Sequence, residues 1–492
     1  MFSRSHAADT SLAVGDTIEL DVTGIAHGGV CVARHNGRVV FVTDTIPGER
    51  VRAYVTDVKK KSFARAAAVE VLDASADRRK HVWPEASIER NPDDRVGGAD
   101  FGYIALERQR SLKAEVLAEA MQRFGGLELA AAEGEDLRGA LAGLVEPVPS
   151  DDIADGTGLI PLDDENHPQH GAHAQRAQHR QRNQHPHHGH HADLAEIAAA
   201  EAATPGLGYR TRVRLHVDPE TGAVGPYAAR SRRVIPVASL PLATRSINQI
   251  APLHELMPRV ATVDLVAPSA DDPRMLLTLA GDKSRTGEND VVHELVGDRS
   301  FIVRAGGFWQ VHREAPEVLF NAVRNAVTDL IDDDRFDPAA GNLDLYGGTG
   351  LLAAAMAEAA GPKLKVTTVE SVANATDDAA ENLADLVGAL ALTGRVNTYL
   401  ADLLKAAAPV RDRMRRGTVV LDPPRTGAGG EVIGQLLELS PANVVYVACD
   451  PVALARDTKT LRDGGYDITG LRAFDIFPNT HHFETLAVFQ RA

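Results

Sequence analysis

Cys449 is where the sequence first offers chemistry. Residues 444–447 (VVYV) read as a buried strand, Cys449 falls on the turn that follows, and Asp450-Pro451 open an apolar helix. The carboxyl edge of parallel strands is where open α/β sheets bind their ligands. Unpaired N–H groups at a helix start favour an anion there, which would lower a thiol pKa. The other cysteine, Cys31, lies in an apolar strand and reads as core. Further on, FDIFPNTHHFETLAVF places Glu484 early in an otherwise apolar strand, three residues past His481. A carboxylate in such a strand must be paired or used. His481 and His482 have no third ligand close by, so hydrogen-bonding roles are expected for them and no metal site.

The elements that must position these groups begin at about residue 301, where strand–helix alternation sets in. Strands are expected at 343–346, 365–369, 396–400, 418–421, 444–447, 467–474 and 483–489. Helical segments separate the first five, which predicts a doubly wound parallel sheet. The last two strands follow one another directly and should form an antiparallel pair at one edge. That is the layout of class I S-adenosylmethionine (SAM) methyltransferases. NLDLYGGTGLLAAAMA supplies a glycine-rich turn between strand and helix, where backbone can approach a ligand closely. Glu370 ends the next strand at the distance where an acidic residue meets a ribose diol. Asp402 is expected to end the third strand, placed for an adenine amino group, and Asp422 the fourth, in LDPPRTGAG. Taken singly, each of these carboxylates suits a helix cap or a turn equally well. Upstream, AGGFWQVH sets Gln310 beside Trp309, as a base-edge reader or as a strand entering the core.

Three domains suit the length of 492 residues. Residues 1–75 read as an OB-like β-barrel of five short strands, with turns at Gly28-Gly29, Asn36-Gly37 and Pro47-Gly48. Lys59, Lys60, Lys61 and Arg65 beside Phe63 form a basic edge with a stacking surface. Residues 76–300 form a central α+β domain that includes a helix from about 105 to 124. Its alternating Arg210, Arg212 and Arg214 would share one strand face suited to RNA phosphate. A His-rich tract at about 150–205 reads as a disordered insertion. Residues 301–492 are the methyltransferase unit. The net charge of −16 argues against indiscriminate nucleic-acid binding by the whole surface, and local basic clusters remain. No apolar run is long enough to span a membrane. The first residues lack a signal-peptide core, so a cytoplasmic protein is expected.

The series GFWQVH, DLYGGTG, LDPPRTG, VYVACDPVALARD and FPNTHHFETLAVF, behind an N-terminal barrel, resembles the RNA uracil-C5 methyltransferases. These SAM-dependent enzymes make 5-methyluridine in 23S rRNA or tRNA, and the barrel looks like the TRAM module of the rRNA-type members. The resemblance implies that Cys449 is the nucleophile and Glu484 the general base. It implies that Gln310, Tyr346, Glu370 and Asp422 contact SAM, with Asp402 a further contact. The implied partner is RNA, 23S rRNA ahead of tRNA, with no membrane and no obligate protein partner. Many members carry an iron–sulfur cluster in a Cys-Gly-Gly-Cys setting just after the barrel. Val96 and Ala99 stand at those positions here, so no cluster is expected. Cytosine-C5 methylation is the competing chemistry, but LDPPRTG lacks the cysteine those enzymes place in that loop. A non-catalytic RNA-binding or ribosome-assembly protein would need neither Cys449 nor Glu484.

Overall fold

The computed structural model describes residues 12–59, 62–129, 143–149 and 206–492. Five strands, β1 (Thr17–Ile25), β2 (Cys31–His35), β3 (Arg38–Thr43), β4 (Arg50–Val58) and β5 (Phe63–Asp73), close into a barrel in the order β1-β2-β3-β5-β4. Alternation in β1 sends Ile18, Leu20 and Val22 inward against Val40, Val42 and Ala53. The β2–β3 hairpin pairs His35 with Arg38, and Asn36 and Gly37 between them both take positive φ, as a tight two-residue turn requires. Phe63 packs edge-on against Phe41 at 5.4 Å, and Lys59 pairs with Asp57 at 3.3 Å. Lys60 and Lys61 lie outside the described residues.

Two arginines fasten the barrel to the chain that follows it. Arg78 donates from Nε (2.6 Å) and Nη2 (2.7 Å) to the two oxygens of the fully buried Glu49, and again to the Asp44 carbonyl at 2.8 Å. Arg95, also buried, donates to the Asp44 carboxylate at 2.8 Å. Val96 and Ala99 are buried in an apolar cluster with Trp83 and Ala86. Helix α1 (Leu106–Ala120) ends in a wide turn at Met121–Gly125 closed by left-handed Gly126. A short strand, β6 (Val145–Pro147), follows. The His-rich tract lies outside the described residues.

The middle of the chain holds an antiparallel sheet ordered β10-β9-β7-β8, from β7 (Arg212–Val217), β8 (Val224–Gly225), β9 (Val260–Val266) and β10 (Arg274–Leu279), with helix α2 (Arg245–Ile250) between β8 and β9. The row of arginines is not a free phosphate-binding face. Arg214 lies on Asp264 at 2.7 Å, and Arg212 donates to the carbonyls of Ala305 and Gly307 with Glu294 at 3.6 Å. Half-buried cations need such partners, and the sequence placed those partners far from the row. A hairpin of β11 (Val291–Val296) and β12 (Arg299–Arg304) then packs Val292, Phe301 and Val303 against helix α3 (Ala315–Asp332).

The last part is the sheet that carries the candidate site. Parallel strands β13 (Asn342–Leu345), β14 (Val366–Glu370), β15 (Ala389–Thr393), β16 (Thr418–Leu421) and β17 (Asn443–Ala448) are joined by helices α4 (Leu351–Ala360), α5 (Ala373–Asn382), α6 (Val396–Leu404), α7 (Ala408–Arg415) and α8 (Gly429–Leu439). After β17 come helix α9 (Pro451–Asp463), β18 (Tyr466–Asp475) and β19 (Glu484–Arg491). The strand order is β15-β14-β13-β16-β17-β19-β18-β6. The antiparallel pair β18–β19 forms as expected, with β19 inserted beside β17 and β6 adding a parallel outermost strand.

One expected strand is a helix. Residues 396–404 form α6, because Val396, Leu400, Leu403 and Leu404 recur at helical spacing and Val396 and Leu400 are buried. The third parallel strand is β15, seven residues earlier than expected. Among the described residues, no helix is long and apolar enough to cross a membrane.

Glu49→Ala should leave Arg78 buried without its partner, at a cost of about 3–5 kcal/mol. Denaturant melts of the two proteins check this, and a loss below about 1 kcal/mol would mean that the barrel is anchored elsewhere.

Candidate active site

Strand register brings the two candidate groups together. Ala448 pairs with Thr485 across the β17–β19 ladder, and the Thr485 hydroxyl donates to the Ala448 carbonyl at 3.0 Å. Cys449 directly follows Ala448 and Glu484 directly precedes Thr485, and the Glu484 carboxyl is near enough for its charge to act on the thiol. Asp422, directly after the neighbouring β16, lies close enough for its charge to act on both. Asp450 caps α9, accepting from the Ala453 N–H at 2.8 Å, and so fixes the turn that holds Cys449.

Electrostatically the site is a pocket of withheld charge. Burial first, then the nearby Glu484 and Asp422, push the Cys449 thiol up to about 12, with Arg425 opposing. The lowering expected from the helix N-terminus is overridden. Burial and Asp422 hold the Glu484 carboxyl well above the usual carboxylate range, and its Oε2 has no hydrogen-bond partner among the described residues. Asp422 is raised to about 7 by burial and by Asp344, which is itself raised to about 7 by burial. Asp344 accepts from the Thr368 hydroxyl at 3.0 Å on one oxygen and leaves the other unpartnered.

Two cavities lie against the loop that begins at Asp422. Cys449, Arg425, His482, Lys113 and Phe101 line the first, together with the β1–β2 turn of the barrel. Tyr346, Ser371, Asn397, Pro424 and Thr426 line the second, above the ends of the parallel strands. Arg425 thus faces one cavity while Pro424 and Thr426 face the other.

The second cavity fits the expected SAM. A side chain at Gly347 would overlap Thr368 and Asp344, so the turn stays open only as glycine. Tyr346, at positive φ (62°), leads into it. Asp344, whose unpartnered oxygen is buried, and Asp422 lie at the ends of neighbouring strands, outside the lining of this cavity, and are carboxyls of the kind that suits an ammonium group. Glu370 ends β14 as expected and is tied into the turn, accepting from the N–H groups of Gly348 (3.3 Å) and Val372 (2.8 Å). Gln310 is half-buried between β12 and α3, outside either cavity lining. Asp402 is corrected: it sits on α6, 71% exposed, paired with Lys405, because the strand it was expected to end is a helix. Arg395 and Asn397 line the cavity past the true third strand instead.

Apart from the hydrogen-bonding role expected of His481 and His482, sequence reasoning missed the groups that hold the site in place. Asn479, in left-handed conformation, receives Arg79 (2.6 Å) and Gln109 (3.2 Å) on its side-chain oxygen and donates to the Gly206 carbonyl at 2.7 Å. Its backbone N–H donates to Gln109 at 2.7 Å. Lys113, fully buried on α1, pairs with Asp475 at 2.5 Å and donates to the Phe477 carbonyl. His481 Nδ1 donates to Asp100 at 2.5 Å, and His482 is held neutral, lowered to about 3 by burial and by His481. Asp457 accepts from the Tyr446 hydroxyl (2.7 Å) and from the N–H groups of Ala428 (2.9 Å) and Gly429, which fixes the far end of the Asp422 loop. Asn479, His481 and Asp475 lie inside the recognised motifs, whereas their partners Gln109, Asp100 and Lys113 carried no sequence signal. Among the described residues, no group of three His, Cys, Asp or Glu could hold a metal ion.

A doubly wound sheet with a glycine turn on its first strand and acidic residues on its strand ends defines a class I methyltransferase fold. Residues 12–69 match the TRAM domain family, and residues 334–492 match the family described as tRNA (Uracil-5-)-methyltransferase. An RNA methyltransferase of Streptomyces avermitilis is 32% identical over 97% of this chain and 99% of its own. The 23S rRNA (uracil(1939)-C(5))-methyltransferase RlmD of Shewanella amazonensis is 27% identical over 96% of this chain and 95% of its own. The Pyrococcus abyssi tRNA (uracil-54, C5)-methyltransferase, solved with S-adenosyl-L-homocysteine, shares the fold at TM-score 0.60 and 16% identity, over 96% of this chain and 100% of that one. The chain belongs to the RNA uracil-C5 methyltransferase family, in the form that carries a TRAM barrel.

The raised Asp422 carboxyl gives a test with a definite sign. Below about pH 4 both folded and unfolded chains keep its proton, so it has no effect. Between about pH 4 and 7 only the unfolded chain releases it, so folded stability falls as pH rises, and the full penalty is present above about 7. Asp422→Asn should therefore match wild type in stability near pH 4 and exceed it by about 1–3 kcal/mol at pH 8. Denaturant melts at the two pH values check this, and equal stability at pH 8 would mean that Asp422 is ionised without cost.

Proposed function

We propose that this protein methylates carbon 5 of a uridine in 23S rRNA, with Cys449 as nucleophile and Glu484 as general base, in the cytoplasm. The closeness of the Glu484 carboxyl to the Cys449 thiol, just past the Ala448–Thr485 pair that ends the β17–β19 ladder, carries the reading. Carbon 5 of uracil is a poor nucleophile until a thiolate adds to carbon 6. Cys449 first releases its thiol proton to water, its Sγ then forms that bond, and the electrons of the C5–C6 double bond move onto the O4 enolate. Tyr346 in the lining of the second cavity, with Glu370 and Asp422 on the neighbouring strand ends, would hold S-adenosylmethionine, which would supply a positive charge and a methyl group that carbon 5 takes as the methyl–sulfur bond breaks and S-adenosylhomocysteine leaves. That charge lies beside carboxyls that otherwise keep their protons, and it favours their ionised forms. Glu484 then takes the proton from carbon 5, the double bond re-forms, and Cys449 leaves as thiolate. His482 stays neutral in the first cavity, and the positive charge of Arg425 acts on both the thiol and the base. The target base must leave its stack to reach a thiol at the bottom of a cavity.

The barrel and the RlmD relative support 23S rRNA as the substrate. A binding-only role is disfavoured because it gives no reason to bury an unpartnered carboxyl opposite a thiol.

Labelled SAM and rRNA from a strain lacking the gene should yield 5-methyluridine with wild type and none with Cys449→Ala. Glu484→Gln should slow turnover by about 10²–10⁴-fold and accumulate a covalent protein–RNA adduct. Label in tRNA alone would move the substrate, and label in 5-methylcytidine would overturn the reading.

A further inference from the structure

The barrel reaches into the first cavity. Ile25, His27, Gly28 and Gly29, the end of β1 and the turn after it, line the cavity beside Cys449, Asp450 and His481. The Nε2–H of His27 donates to Asp450 Oδ2 at 2.8 Å, while Asp450 Oδ1 accepts from the Ala453 N–H. One carboxylate therefore ties the barrel to the first turn of the helix behind Cys449. On the other flank, a methyl group on Gly29 would stand 2.6 Å from Cβ of His481 and 3.0 Å from Asp100. The turn approaches that closely only because Gly29 has no side chain and takes φ +75°. Its place is fixed from below by Arg78 on Glu49 and Arg95 on Asp44. The His27 ring is still 49% exposed, so its free face is turned to whatever enters.

We propose that the β1–β2 turn of the barrel is a wall of the target-base pocket and that His27 is a positioning residue for Cys449, acting through Asp450. The barrel then takes part in the methylation step itself, in addition to any grip on RNA at a distance. His27 does not touch the reacting atoms. It holds Asp450, and Asp450 sets the turn from which the thiol must meet carbon 6 from the face of the ring. The proposal rests on Cys449 being the nucleophile.

The test uses the full chain, labelled SAM and rRNA from a strain lacking the gene, with kcat and KM for rRNA measured for wild type, His27→Ala, His27→Gln and Cys449→Ala. At saturating rRNA, His27→Ala should lower kcat about 10- to 100-fold, the scale of a misplaced reacting group. SAM binding, read by calorimetry, should be unchanged. His27→Gln, which keeps a donor toward Asp450, should recover most of the rate. A kcat for His27→Ala equal to wild type, with or without a raised KM for rRNA, overturns the proposal and leaves the turn an RNA tether. A kcat loss that His27→Gln does not recover also overturns it, since the role would then not run through Asp450. Cys449→Ala separates the two levels: if it is inactive while His27→Ala keeps its kcat, only the positioning role fails, and if it is active the nucleophile assignment fails first.

Discussion

Negative charge that the fold declines to release is the constraint on which this structure turns. Asp344, Asp422, Glu484 and the Cys449 thiol are gathered at the carboxyl edge of one sheet, each pushed toward its protonated form by burial and most of them by one another. Arg425 is the main opposing charge. Such a cluster is costly, because an ionised group in a dry site loses its hydration without a partner to replace it. It persists because strand ladders with fixed register hold every member. A positively charged ligand is what such a site lacks, and a sulfonium cofactor is one.

Rigidity comes from far away in the chain. The segment that leads into Glu484 is held by α1 through Gln109 and Lys113, and by the stretch after the barrel through Arg79, Asp100 and Phe101. These contacts cross hundreds of residues, and most use buried polar groups whose hydrogen bonds are satisfied. A buried network of this kind specifies one arrangement, because any shift leaves several donors unpaired at once. The loop between the two cavities has its own anchor in Asp457.

The sequence was legible where a residue's neighbours along the chain decide its structure. The barrel turns, the strand before Cys449 and the final antiparallel pair follow from local pattern. Residues 396–404 misled because Val396, Thr398 and Tyr399 favour an extended reading, while the burial of Val396 and Leu400 at helical spacing won. Arg212 and Arg214 looked like a phosphate surface because Glu294 and Asp264 are distant in sequence. The thiol pKa was misjudged for the same reason: the helix start is local, but the burial that overrides it, and after burial the carboxyls of Glu484 and Asp422, come from elsewhere in the fold. Three-dimensional neighbours, absent from any one-dimensional pattern, account for each of these.

β6 has a consequence for how the molecule is made. Residues 145–147 form the outermost strand of the catalytic sheet, pairing with 473–475, and Glu146 grips Arg472 through two bonds of 2.8 Å. During synthesis that strand leaves the ribosome long before its partner exists. It must wait, with α1, until almost the whole chain has emerged, and then close a very long loop. The barrel pairs only with itself and can form early. Maturation is therefore split in time, and a nascent chain that stalls near its end carries a finished barrel on an unfinished enzyme.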